Sequence, residues 1–75
     1  DQVAFPKVRV NEEVQVAGKK CQLRKTDYYY MTFSGKLTNP KKEPNVAFTY
    51  KDLPIQLTFV SYDIDRDESL YRVTN

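Results

Sequence analysis

The chain predicts an all-β fold, a small antiparallel sandwich or barrel of six to seven short strands, and three observations carry that expectation. Apolar and polar residues alternate in Val14-x-Val16, Cys21-x-Leu23, Val46-x-Phe48-x-Tyr50 and Ile55-x-Leu57-x-Phe59, the period of two that buries one face of a strand. No apolar set recurs at i, i+3, i+4 and i+7 over the length a helix would need. Polar turns separate the alternating stretches.

Taken in order, the first strand is expected over residues 3–10. Pro6 confines it to a sheet edge or marks a bulge, where the inward set steps from Val3/Phe5 to Val8/Val10. Asn11-Glu12 turns the chain into a second strand at 13–17, and Gly18-Lys19-Lys20 forms a hairpin loop into a third at 21–26. Thr26-Asp27 opens a turn into residues 28–37, with Tyr29, Met31 and Phe33 on the inner face and Tyr28 and Tyr30 on the outer. Residues 39–45, with Pro40 and Pro44, are a loop. A strand at 46–51 turns at Asp52-Leu53-Pro54 into another at 55–64. There the buried set steps from Ile55/Leu57/Phe59 to Val60/Tyr62/Ile64, which calls for a bulge near Phe59-Val60. A last strand covers 70–74.

Composition bounds the chemistry. Seventy-five residues make one domain with one core, and the 13% of aromatic residues supply much of its apolar area. There is no histidine, hence no ordinary general base at neutral pH, and the single Cys21 permits neither an internal disulfide nor a Cys/His zinc site. Cys21 alternates in phase with Val16 and Leu23 and is expected to be a buried, inert thiol. No apolar run has the length of a membrane span. The chain begins at Asp1, as a mature secreted chain does after signal-peptide removal and as a segment of a longer chain also would. Ten Lys/Arg face five Asp/Glu through Lys51, and two face five beyond it; such a split forms a basic face or merely a dipolar surface.

The candidate binding residues are Tyr28 and Tyr30, flanked by Lys25 and Lys36, with Lys41 and Lys42 in the proline-rich loop. Exposed tyrosines anchor protein partners through large amphipathic area at low entropic cost. Beside cations they also stack nucleic-acid bases. Asp63-x-Asp65-x-Asp67-Glu68 has the spacing that opens a calcium loop. It departs from that pattern at Glu68, where glycine is needed, and at Thr74, where the bidentate glutamate belongs.

Gln15-Val16-Ala17-Gly18 resembles the first inhibitory loop of the single-domain cystatins, Gln-Val-Val-Ala-Gly, with one residue lost. Leu53-Pro54 is similar to their second loop, and Tyr62-Asp63-Ile64-Asp65-Arg66 through Leu70 to their C-terminal segment. The resemblance implies inhibition of papain-type proteases and a long helix before the first loop. The fourteen residues that precede Gln15 are patterned as strand instead. Size and strand plan also resemble the β-sandwich effectors of plant-pathogenic fungi, which bind host proteins and usually carry a cysteine pair. The expectation from the residues is a non-enzymatic interaction module for a protein partner, without cofactor or membrane span. It would use an exposed sheet edge or the Tyr28/Tyr30 face, with the loop lysines as a rim. The alternative is an OB-like binder of single-stranded nucleic acid.

Overall fold

Alternation in the sequence produces six strands: β1 (Phe5–Val16), β2 (Lys19–Tyr28), β3 (Tyr30–Ser34), β4 (Asn45–Tyr50), β5 (Leu53–Asp63) and β6 (Glu68–Val73). The computed structural model describes residues 3–75, and no helix occurs among them. Every neighbouring pair is antiparallel, in the order β1-β2-β3-β6-β5-β4. β4, β5 and β6 are successive hairpins, while β3 lies beside β6 and reaches β4 by a long crossover, a Greek-key arrangement. The sheet curls into a half-barrel. Its two ends, β1 and β4, meet through side chains but share no ladder.

The inner face holds the core. Val46, Phe48 and Tyr50 of β4 and Ile55 and Leu57 of β5 point inward at period two, against Leu23, Met31, Phe33, Tyr71 and Val73. Phe33 sits edge-on to both Phe48 (5.6 Å) and Tyr71 (5.9 Å), so one ring joins β3, β4 and β6. The crossover contributes Leu37, fully buried in the same core. Buried polar groups are mostly paired: Thr26 Oγ1 donates to Pro6 O at 2.6 Å, and Ser69 Oγ donates to Gly35 O.

Several expectations are corrected. The strands at 3–10 and 13–17 are one, because Asn11 does not turn the chain. Asn11 takes φ 53° at a bulge between Arg9 and Glu12, a conformation asparagine tolerates. The first hairpin loop is Ala17-Gly18, both at positive φ (52° and 79°), with Val16 paired to Lys19. That is the backbone of a type I′ turn. The next turn is Tyr28-Tyr29, since Asp27 pairs with Tyr30. The β4–β5 turn is Lys51-Asp52, at φ 50° and 67°. The bulge near Phe59-Val60 is present, between Phe59 and Ser61. Beyond it Val60 and Ile64 are exposed and Tyr62 is half-buried, because Asp63 pairs with Glu68 and Ile64 lies in the turn.

Candidate functional site

Met31 and Phe33 are fully buried, as the alternation predicts, but Tyr29 is only half-buried because it lies in the turn, while Tyr28 (66% exposed) and Tyr30 (37% exposed) face out. The two tyrosines do not share a strand face. Tyr28 is at the tip of the β2–β3 hairpin at φ 52°, its ring 6.0 Å from that of Tyr29. Tyr30 opens β3 and shares a shallow hollow of about 240 Å³ with Lys25, Asp27, Thr32 and Leu70. Lys36 lies past the other end of β3, its Nζ 4.8 Å from the Tyr62 ring centroid. Lys41 and Lys42 ride on a turn in the crossover, whose Asn39 carbonyl accepts the Lys42 N–H at 3.0 Å and whose Asn39 Oδ1 accepts the Lys41 N–H at 3.1 Å. Of the predicted set, only Lys25 and Tyr30 are brought together.

What sequence alternation could not reveal is which strands form the ends of the sheet. Both ends of a half-barrel expose one row of backbone N–H and C=O groups, a template for pairing with another chain. On β1 that row is broken. Pro6 lacks an N–H, bulges fall between Phe5 and Val8 and between Arg9 and Glu12, and Lys7, Arg9, Glu12 and Glu13 line the strand.

β4 is regular. Asn45 through Tyr50 pair with Thr58 through Leu53 without a register shift, and Asn-Val-Ala-Phe-Thr-Tyr holds no charge and no proline. Pro54 O accepts from Asn75 Nδ2 at 2.8 Å, Gln56 N donates to Asn75 Oδ1 at 3.1 Å, and Gln56 O accepts from Thr74 N at 2.8 Å. Pro54 and Gln56 thus turn their backbone groups away from β4. Their cross-strand partners Thr49 and Ala47 must therefore direct their own N–H and C=O outward.

Between the two ends, near the β4–β5 turn, lies a cleft of about 460 Å³ whose lining joins Phe5, Pro6, Val8, Val10, Tyr50 and Leu53 to Thr26 and the charged Arg9, Glu12 and Lys51. Val8 (47% exposed) and Leu53 (39% exposed) stand uncovered there. A single carboxylate bridges the ends: Glu12 Oε1 accepts from Tyr50 OH at 3.3 Å and lies 3.7 Å from Lys51 Nζ. Phe5 meets Tyr50 edge-on at 6.0 Å.

The remaining candidates are structural. Asp63 Oδ1 accepts the backbone N–H groups of Asp65 (3.0 Å) and Arg66 (3.2 Å), and Asp67 accepts from Tyr62 OH. These carboxylates shape the β5–β6 turn, and no group of three potential metal ligands occurs among the described residues. The bond to Asp67 chiefly raises the Tyr62 phenol above its ordinary pKa. Cys21 is half-buried rather than buried, and desolvation raises its thiol above the ordinary value, a state unsuited to nucleophilic attack. The cystatin-like tetrapeptide forms the β1–β2 hairpin, and Leu53-Pro54 begins β5. No helix of the described residues is long and apolar enough to cross a membrane. Comparison with known proteins returns no match to a family model, a curated protein or a solved structure.

Proposed function

We propose that this chain is a non-enzymatic interaction module that binds a protein partner by strand addition to β4. An extended segment of the partner pairs with the outward backbone groups of Ala47 and Thr49, and its alternate side chains lie toward Val8 and Leu53 in the cleft. The observation that carries the reading is the contrast between the ends of the sheet. β1 has a proline, two bulges and charges, whereas β4 has none of these three. Main-chain hydrogen bonds then supply affinity and the cleft supplies selectivity. The partner strand enters at the Asn45 end, farthest along β4 from the Tyr50–Glu12 contact.

The test is selection of linear peptides from a random displayed library against the protein and against Thr49→Pro, which removes one outward N–H. Enrichment on the parent that is lost on Thr49→Pro supports strand addition. Equal enrichment on both, or self-association through β4 in place of peptide binding, overturns it. The nucleic-acid alternative draws on the hollow that Lys25 shares with Tyr30. It predicts retention on a single-stranded oligonucleotide column that falls steeply with salt.

A further inference from the structure

A second hollow, which shares only Arg9 with the cleft beside β4, is built from cations. Arg9 of β1 is paired with Lys25 of β2 across the ladder. Arg24 sits beside Lys25 at a bulge between Leu23 and Lys25, which turns adjacent residues toward the same region. Arg66 comes from the β5–β6 turn. These four cations and Glu68 line one hollow of about 280 Å³. Glu68 is engaged by Arg24 alone, Nη1 to Oε2 at 3.0 Å, and Arg66 Nε is 4.0 Å from Asp63 Oδ2. Among the described residues, Arg9 and Lys25 form no ion pair with a carboxylate.

The second observation concerns Arg24 itself. Its Nε is shielded from solvent and has no hydrogen-bond acceptor, the one buried side-chain polar atom left so among the described residues. A buried donor on a charged group without an acceptor is costly, and a bound water or ion is the usual way such a group is satisfied. Four cations against Glu68, with Asp63 beside Arg66, leave a positive excess in a small concavity, where guanidinium forks match a tetrahedral oxyanion.

We infer that this hollow is a binding site for a phosphate-class dianion, such as a phosphomonoester, with Arg9, Lys25 and Arg66 as its donors and Arg24, held by Glu68, in its wall. A compact hollow suits a terminal dianion better than a phosphodiester chain, whose charges are single and spaced along a strand. The inference does not depend on the β4 edge.

The experiment is an NMR titration of the isotope-labelled protein, following the Nε–Hε signals of Arg9, Arg24 and Arg66. The probes are inorganic phosphate, phosphoserine and dimethyl phosphate, with sodium chloride matched for ionic strength. Saturable shifts with phosphate and phosphoserine, and none with chloride, are expected. Tighter binding of phosphoserine than of inorganic phosphate would place the ligand on a phosphorylated side chain; the reverse order would place it with the free ion. Arg9→Ala and Arg66→Ala, neither in the core, should each weaken binding by roughly tenfold. Shifts that follow ionic strength alone, or dimethyl phosphate binding as tightly as phosphoserine, would overturn the inference, the latter in favour of a nucleic-acid backbone.

Discussion

The two ends of the sheet are built from the same kind of strand and treated in opposite ways. β1 is twelve residues long and irregular, with two bulges and a proline, and its outer row of backbone groups cannot be matched by a straight partner. β4 is six residues long, regular and uncharged, and it keeps Phe48 and Tyr50 locked in the core while its alternate residues face solvent. A domain avoiding contact would blunt both edges. Blunting one and leaving the other open is the asymmetry on which the proposed strand addition at β4 rests.

Both ends rest on one core, so the largest expected effect comes from removing it. Phe33→Ala deletes the ring that touches Phe48 and Tyr71. The loss should be about 3–5 kcal/mol, comparable to the whole stability of a domain this size. Urea denaturation should find the variant unfolded or nearly so, whereas Tyr28→Ala at the exposed hairpin tip should cost about 1 kcal/mol or less. If Tyr28→Ala proves the more damaging, the inner and outer faces are exchanged.

Thr49→Pro separates pairing from folding. Its N–H points away from β5, so stability should change by about 1 kcal/mol or less. Binding of a selected peptide should nonetheless weaken by about 2 kcal/mol or more by calorimetry. A variant that binds normally would show that β4 is not the working edge.

Alkaline pH probes the interior between the two ends. Burial raises the Tyr71 phenol, and it raises the Cys21 thiol as well. The unfolded chain therefore loses these protons first. Stability is fully present below the unfolded values, about 8.5 for cysteine and 10 for tyrosine, and declines as pH rises through and beyond them. The urea midpoint should drop over that range, and less so in Cys21→Ala. A midpoint that climbs with pH there would contradict the burial of both groups.

Glu12 is the bridge between the ends, and its two contacts are partly exposed. Glu12→Gln should cost only about 0.5–1 kcal/mol by urea denaturation, shrinking at high salt because the Lys51 pair is screened. The smallest effect belongs to the β1–β2 hairpin. Ala17 holds φ 52°, where asparagine is better tolerated, so Ala17→Asn should stabilise by about 0.5 kcal/mol. An unchanged or lowered melting temperature would mean the turn is not strained there.

Much of this was legible in the residues and some was not, for physical reasons. Period-two burial in β4 and β5 located Val46, Phe48, Ile55 and Leu57 in the core, and the apolar shift after Phe59 located a bulge. Turns were misplaced wherever the structure holds an unusual residue at positive φ: Ala17, Tyr28 and Lys51 rather than the adjacent Lys19-Lys20, Thr26-Asp27 and Leu53-Pro54. Local turn chemistry favours Gly, Asn and Asp and does mark Gly18 and Asp52, but register across the ladder sets which neighbour completes each turn, Ala17 and Lys51, and carries the third turn past Asp27. The Tyr28/Tyr30 pair was lost with its turn. The edges and the Arg9/Arg24/Arg66 hollow depend on which strands are neighbours. No local pattern carries that information.

Amide hydrogen exchange resolved by residue, with and without a selected peptide, bears most directly on the β4 edge. In the free protein, the Ala47 and Thr49 amides should exchange quickly while those of Val46, Phe48 and Tyr50, which face β5, exchange slowly. On binding the peptide, Ala47 and Thr49 should become protected and β1 should remain unchanged. Protection appearing along β1, or Ala47 and Thr49 staying fast in the complex, would contradict strand addition at β4.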